Sequence, residues 1–361
     1  MRSSPSVPWS PTRYTVGRCR CWRSVSACSR RCRRVISLPS DPTGRCCRST
    51  WVATALGRVA IGGVWRHERR RHMRYLNPEA VRAALPMVEA IDAMVHAFSG
   101  DREAPNRMLL GVSLFMPGRL DDHTGVKVVS SVPGDPAGIV AVFDQTGQTL
   151  GLVDGPTLSA IRTAAAPGLA TDRMAAPDAA VLAMLGAGAM AADQVAAIRA
   201  VRPIRQVLVW SRTGSSARAC AEVVGGEVVL DADEAVARAD IVSTATPSRS
   251  PLFESRSLRP GTHVNAVGAF TPDMIEIPGD VVRQAFVVVD DRAAAAVEAG
   301  DLLQAGRQPD ADMAELISGR VRPDGQPFTL FKSVGIASQD IAAAVRALEN
   351  AERDDLGARL L

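Results

Sequence analysis

The sequence predicts an α/β protein built around a doubly wound parallel sheet, and three observations carry that prediction. Between about residues 178 and 290, short apolar runs alternate with helical segments, the pattern of a parallel sheet with crossover helices. Within that stretch, "VLAMLGAGAMAADQVAAI" (181–198) reads as an apolar strand, a glycine turn and a helix. From 107 to 153 the pattern is instead short β runs joined by turns, which marks a second, differently built region.

The elements follow in order. "NPEAVRAALPMVEAIDAMVHAFSG" (77–100) predicts two helical segments, with Asn77 as N-cap, Pro78 at the first helical position and Pro86 opening the second segment. Leu85, Val88, Ile91, Met94 and Val95 recur at helical spacing and are expected in the core. The β runs are "RMLLGVSLFMPG", "GVKVVSSV", "GIVAVFD" and "TLGLVDG", with "QTGQ" as a hairpin turn between the last two. "PTLSAIRTAAAPGLATDRMA" (156–175) reads as a helix leading into the alternating region. Strands there are expected at 181–185, 206–210, 227–230, 240–244, 262–267 and 285–290. After 291 come helical and loop segments, and "TLFKSVGIASQDIAAAVRALENAE" reads as a loop followed by a terminal helix.

Composition divides the 361-residue chain sharply. Residues 1–72 hold 16 arginines, no lysine and two acids (Asp41 and Glu68), a net charge of +14. The 26 basic and 36 acidic residues that follow give −10. Six of seven cysteines (Cys19, Cys21, Cys28, Cys32, Cys46, Cys47) also lie in front, but without the paired C-x-x-C spacing of a zinc site. No apolar core of a secretory signal follows the basic start. A nucleic-acid-binding arm or a transit peptide stays open for this segment. The expectation is a disordered or unselected extension, with the folded protein starting at Met73. From there on no 18-residue apolar run and no lipidation signal occurs, and a lone Cys220 suits a reducing compartment. The expectation is a cytoplasmic protein without nucleic-acid or membrane partners. His96, His123 and His263 share no metal-ligand spacing, so no metal is expected.

Gly186, Gly188 and Ala191 form G-x-G-x-x-A after the apolar strand and before the helix. A turn without β-carbons, here completed by Ala189 and Met190, lets backbone N–H groups approach a pyrophosphate, and the helix offers its positive end. At the end of the next strand, in "RQVLVWSRTGSS", no acid stands where a ribose 2′-hydroxyl would be bound. Ser211, Arg212 and Thr213 stand there instead, a guanidinium flanked by hydroxyls that suits a 2′-phosphate. NADPH is therefore the expected cofactor, with NADH as a weaker second.

"MPG", "GVKVV", "LVDGPTLSAIRTAAA", "GAGAMA", "VWSRT", "STATPS", "HVNAVGAF" and "FKSVG" occur in this order. Together they resemble the ornithine cyclodeaminase/mu-crystallin family over essentially all of 73–361. The resemblance implies a homodimer in which a discontinuous substrate and dimerisation domain (73–175 and 320–361) wraps a Rossmann domain (176–319). It also implies that a small imino or amino acid is bound through its carboxylate by Arg107, Lys127 and Arg162, with Thr163 beside the last. Arg162 would also reach the cofactor. Lys127 is the catalytic candidate. The chain has only two lysines, Lys127 and Lys332, against 40 arginines, and both fall in these motifs. Thr246 and Pro247 are implied on the adenosine side. Val267, Gly268 and Ala269 would pass under the nicotinamide, and Ser333 and Val334 would approach the reacting end.

Two departures bear on the reaction. Where ornithine cyclodeaminases carry an aspartate after the glycine of the "AVG" strand, this chain has Phe270, which can neither accept an amine's hydrogen bonds nor move a proton. Asp273 is the nearest substitute. Against the family it resembles, the connection "SVPGDPAGIVAVF" is also short and omits part of a loop near the cofactor. The expected activity is NADPH-dependent reduction of a small cyclic ketimine carboxylate, Δ1-pyrroline-2-carboxylate or Δ1-piperideine-2-carboxylate. An amino acid dehydrogenase such as alanine dehydrogenase, an ornithine cyclodeaminase and a non-catalytic NADPH-binding protein remain as alternatives.

Overall fold

The computed structural model describes residues 73–130, 132 and 136–360. The arginine- and cysteine-rich front segment and most of the turn in the shortened connection lie outside the described residues. Two eight-stranded sheets organise the rest. In the first, the order is Ala358–Arg359, Arg74–Leu76, Thr149–Asp154, Gly138–Phe143, His123–Ser130, Ser113–Leu120 and Arg102–Glu103, with Met108–Leu110 also pairing to Ser113–Leu120. Its four central strands form an antiparallel meander. The run "RMLLGVSLFMPG" is two strands rather than one, because the chain turns at Gly111 with φ +59. The "QTGQ" turn closes with Gly147 at φ +80, its N–H donating to Asp144 O at 2.9 Å.

All pairings in the second sheet are parallel, in the order Glu227–Val228, Gln206–Trp210, Val181–Leu185, Ile241–Thr244, His263–Ala266, Phe328–Lys332, Ala285–Val289 and Ala311–Asp312. The chain winds outward from Val181–Leu185 in one direction, then returns past it to wind in the other. The switch point therefore lies between Val181–Leu185 and Ile241–Thr244, and the carboxyl ends of those strands are where such sheets bind ligands. "TLFK", expected as a loop, is the strand Phe328–Lys332, so this sheet continues past residue 319. The strand's sequence FTLFK holds a threonine and ends in a lysine that the structure buries completely, so neither an apolar run nor strict alternation marks it as a strand.

The predicted helix starts hold. Asn77 caps Pro78–Ala84 by accepting from Ala80 N at 2.9 Å, and Pro86 precedes Met87–Ser99. Val88 is 61% exposed, in contrast to Leu85, Ile91 and Met94, because the buried stripe of its helix runs along Ala90, Ile91, Met94 and Phe98. The helix Gly155–Met174, capped by Asp154, follows the last meander strand and packs against both regions.

The terminal helix Ala337–Asp354 lies across the first sheet in a groove lined by glycine. Gly118 and Gly125 are cross-strand neighbours. A β-carbon on Gly118 would stand 2.8 Å from Ala337 Cβ, one on Gly125 3.1 Å from Ile341 Cγ1, and one on Gly151 would strike the Leu348 side chain. Residues 337, 341 and 348 share one helical face, so small residues on three strands set how deep the helix sits. Filling the groove should force it outward. Gly125→Val is expected to cost about 1–3 kcal/mol by overpacking, read as a lower midpoint in chemical denaturation; an unchanged midpoint would contradict this packing account.

Candidate active site

A cleft of about 410 Å³ opens at the carboxyl ends of Val181–Leu185, Gln206–Trp210 and Ile241–Thr244. Gly186 has φ +111, and a β-carbon there would meet Ala245 O at 2.7 Å, so the chain itself demands glycine. At Gly188 a β-carbon would meet nothing within 4 Å. What glycine provides at 188 is an exposed backbone that a ligand can approach. Ala189 is exposed and Met190 half-buried in the turn, and the buried Ala191 begins the helix Ala191–Val201. Ser211, Arg212 and Thr213 line one end of the cleft, and Thr246 and Pro247 line the opposite wall. Arg212 is exposed and has no hydrogen-bond or ion-pair partner among the described residues. An open glycine backbone and an unpaired guanidinium in one cleft fit a phosphorylated dinucleotide.

The three basic residues expected around a carboxylate come together elsewhere in the fold. Lys127 projects from the strand His123–Ser130, Arg162 from the helix Gly155–Met174, and both meet Asp340 in the first turn of the terminal helix. Lys127 Nζ lies 3.0 and 2.9 Å from the two Asp340 oxygens, and Arg162 Nε donates to Oδ1 at 2.9 Å. Arg162 Nη1 donates to Gln339 Oε1 at 2.8 Å. All four side chains are buried. Burial, reinforced by the Arg162 charge, lowers the Lys127 ammonium to about 8. Burial works against the Asp340 carboxylate, but Arg162 and Lys127 outweigh it and hold its pKa below the ordinary value.

Arg107 forks onto Glu298, with Nε to Oε1 and Nη2 to Oε2 both at 2.9 Å. Its Nη2 also donates to the carbonyls of Val334 and Gly335 at 2.6 and 2.7 Å. Its guanidinium carbon stands 5.8 Å from the centroid of the Phe270 ring. Gly335 joins the two arginines: at φ +78 its missing β-carbon would lie 2.7 Å from Arg162 Nη1. Burial raises the Glu298 carboxyl above its ordinary value, with Arg107 pulling it back. Lys127, Arg162 and Arg107 thus converge with Asp340 and Glu298 as their ion-pair partners, and Asp290 lies close enough to Glu298 to raise its carboxyl further. Phe270 is 41% exposed, an apolar surface beside Arg107. Asp273 is turned away from it, its carboxylate held by Arg249 at 2.7 Å and Thr271 at 2.6 Å.

The remaining expected cofactor residues are held by buried carboxylates that the sequence did not single out. Asp290 Oδ2 accepts from Ser333 Oγ, Val334 N and Gly335 N at 3.0, 2.9 and 2.6 Å, so the Ser333 hydroxyl donates inward. Glu276 accepts from Thr246 N and Oγ1 through one oxygen, at 2.7 and 2.8 Å. Through the other it accepts from Gly268 N and Ala269 N, at 2.8 and 3.0 Å. A β-carbon on Gly268 would collide with the Thr246 backbone, so these two turns are pressed together. Val267 and Ala269 are buried beside them, and Thr163 is half-buried next to Arg162. Lys332 is fully buried, donates to Ala269 O and pairs with Asp301 at 2.8 Å. Asp301 in turn accepts from Glu276 N and Ile277 N at 2.7 and 3.0 Å. The second lysine therefore organises the turn that carries Phe270.

Asp340, Glu298, Glu276 and Asp290 escaped the sequence reading because each looks local. An acid in a helix's first turn reads as a complement to the helix dipole, and an acid after a strand reads as a turn. Among the described residues no group of three His, Cys, Asp or Glu side chains could hold a metal ion. Removing one partner of a buried ion pair strands the other charge, so Lys332→Met should lose about 3–5 kcal/mol of stability. Adding Asp301→Asn should restore part of that loss. Additive losses in denaturant titrations would show that the pair is not coupled.

With this geometry in place, comparison with known proteins is informative. The signature of the ornithine cyclodeaminase/mu-crystallin family matches residues 79–355. The Δ1-pyrroline-2-carboxylate reductase of Bacillus cereus is 36% identical over 274 residues, covering 69% of this chain and 84% of that protein. The ketimine reductase mu-crystallin of Mus musculus is 36% identical over 217 residues, 60% of this chain and 69% of its own. The solved structure of Δ1-pyrroline-2-carboxylate reductase from Thermococcus litoralis, in complex with NADH and L-proline, superposes with a TM-score of 0.74 at 30% identity. It covers 80% of this chain and all of that one. A glycine turn at the sheet's switch point, a buried basic cluster under the terminal helix and a family match across both place the chain in the ornithine cyclodeaminase/mu-crystallin family.

Proposed function

We propose that this protein is an NADPH-dependent reductase of a small cyclic ketimine carboxylate, Δ1-pyrroline-2-carboxylate or its six-membered homologue, yielding the cyclic amino acid. The observation that carries this reading is the convergence of Lys127, Arg162 and Arg107 beside the exposed face of Phe270. A carboxylate suits such basic donors, and an apolar ring packs on the phenyl. Relatives named for reduction of this bond type support the same reading.

NADPH, when bound along the Gly186–Gly188 turn with its 2′-phosphate at Arg212, supplies the hydride. The chain's own residues do the rest. Arg107 Nη1 and Arg162 Nη2 keep N–H groups that can donate to a carboxylate, while Glu298, Asp340 and Gln339 hold the rest of each guanidinium in place. Lys127 keeps a third N–H beyond its two contacts with Asp340. With its pKa near 8 it can hold a proton at the imine nitrogen while staying charged at neutral pH. Phe270 excludes water from one side. An ornithine cyclodeaminase reading is disfavoured because Phe270 stands in place of the aspartate, and Asp273 is already committed to Arg249 and Thr271.

The region formed by 73–175 and the terminal helix serves as the substrate and dimerisation region in this reading. Two copies pair through the first sheet, where Met108, Leu109 and Leu110 are each more than half exposed and Ile139 adds to the apolar face. The second sheet, strand Phe328–Lys332 included, carries the cofactor. A cytoplasmic location belongs to this reading, which the free, buried Cys220 suits. No described helix is long and apolar enough to cross a membrane.

Two measurements test the function. NADPH absorbance should fall rapidly with Δ1-pyrroline-2-carboxylate and more slowly with NADH in its place; no decay with either, from protein that binds NADPH, would overturn the substrate. In Lys127→Ala, turnover should drop by about 10² or more. A group that acts while protonated is lost as pH rises through its pKa, so wild-type kcat/KM should fall above about pH 8, and the variant should lack that limb. Retention of both turnover and limb would remove Lys127 from the chemistry.

A further inference from the structure

Beyond the end of the cleft that holds Arg212 stands a second guanidinium, Arg218, outside the lining itself. This residue lies one turn into the helix Gly214–Val224, and side chains on a helix lean toward its N-terminus. Arg218 Nη1 stands 3.7 Å from the position of a β-carbon on Gly214. Because glycine has none, the guanidinium lies over the start of the helix, next to Thr213. Thr213 and Ser216, on either side of it in sequence, both line the cleft.

The charge arrangement there is one-sided. Arg212 and Arg218 are exposed, and neither has a hydrogen-bond or ion-pair partner among the described residues. The first turn of the helix has no acidic residue to complement its positive end. Other surface arginines among the described residues have partners, such as Arg119 with Asp101 and Glu103, or Arg238 with Glu227 and Glu234. Two guanidiniums placed together at a positive helix end raise each other's energy unless an anion joins them. The ligand that such a place accepts is a dianionic phosphate, and the hydroxyls of Ser211 and Ser216 add donors of the right kind.

We propose that Arg218 is a second ligand of the cofactor's 2′-phosphate, so that Arg212 and Arg218 together set the preference for NADPH over NADH. The assignment rests on NADPH being the cofactor. It differs from that reading in giving half of the discrimination to a helix residue outside the strand-end motif.

The test is the ratio of kcat/KM with NADPH to kcat/KM with NADH, measured on the full chain as wild type, Arg218→Ala, Arg212→Ala and the double variant. Arg218→Ala should lower the ratio about tenfold, as loss of one charge-assisted contact does, and the double variant should lower it further than either alone. Arg218→Lys, which keeps the charge without the fork, should fall between wild type and alanine. Adenosine 2′,5′-bisphosphate provides a readout without turnover: its Kd should weaken about tenfold in Arg218→Ala. A ratio and a bisphosphate Kd unchanged in Arg218→Ala, while Arg212→Ala lowers the ratio, would overturn the role of Arg218 and leave NADPH as the cofactor. A wild type with no preference for NADPH would overturn both.

Discussion

The contact of Asp340 with Lys127 and Arg162 is the constraint on which the rest of the substrate region depends. Two cations buried side by side repel one another and lose their hydration, a cost of several kcal/mol per ion. One carboxylate between them, with Gln339 taking another Arg162 proton, makes the cluster tolerable. That carboxylate comes from the terminal helix, which reaches the sheet only because Gly118, Gly125 and Gly151 leave room for Ala337, Ile341 and Leu348. The helix packing and the site electrostatics are therefore one problem. A helix displaced outward would draw the Asp340 carboxylate away from Lys127 and Arg162 and leave their mutual repulsion less compensated.

The cofactor side follows a related logic with the signs exchanged. Buried carboxylates there accept from backbone amides rather than from arginines: Asp290 from the turn at 333–335, Glu276 from the turns at 246 and 268–269. Each has its carboxyl pKa raised by burial. Each turn is thus held before a ligand arrives, so its groups need little reorganisation on binding. Lys332 and Asp301 extend the same network to the carbonyl of Ala269, immediately before Phe270. The two lysines consequently have distinct work. Lys127 faces the site from the meander, and Lys332 sits wholly inside the scaffold.

How much of this is legible in the sequence depends on the range of the interaction. Strand Val181–Leu185, the turn at Gly186–Gly188 and Arg212 at the next strand end lie within about thirty residues, and local spacing suffices to read them. The caps at Asn77 and Pro78 are equally local. Phe328–Lys332 was not readable as a strand, since its threonine and terminal lysine leave neither an apolar run nor strict alternation. Val88 was misplaced in the core because helical spacing names a stripe without saying where the neighbouring element ends.

What the sequence by itself determined is the α/β class, the strand–turn–helix of the cofactor cleft, the Arg212 terminus and the set of basic residues Arg107, Lys127 and Arg162. The first three follow from short-range geometry and residue chemistry, whereas the basic set follows from the resemblance to the family. Only the tertiary structure decided which acid answers each base. The partners Asp340, Glu298 and Asp301 are separated from theirs by as many as 213 residues, and any of some three dozen acids could have served. A buried charge selects its counter-charge by position in space, which one-dimensional spacing does not encode.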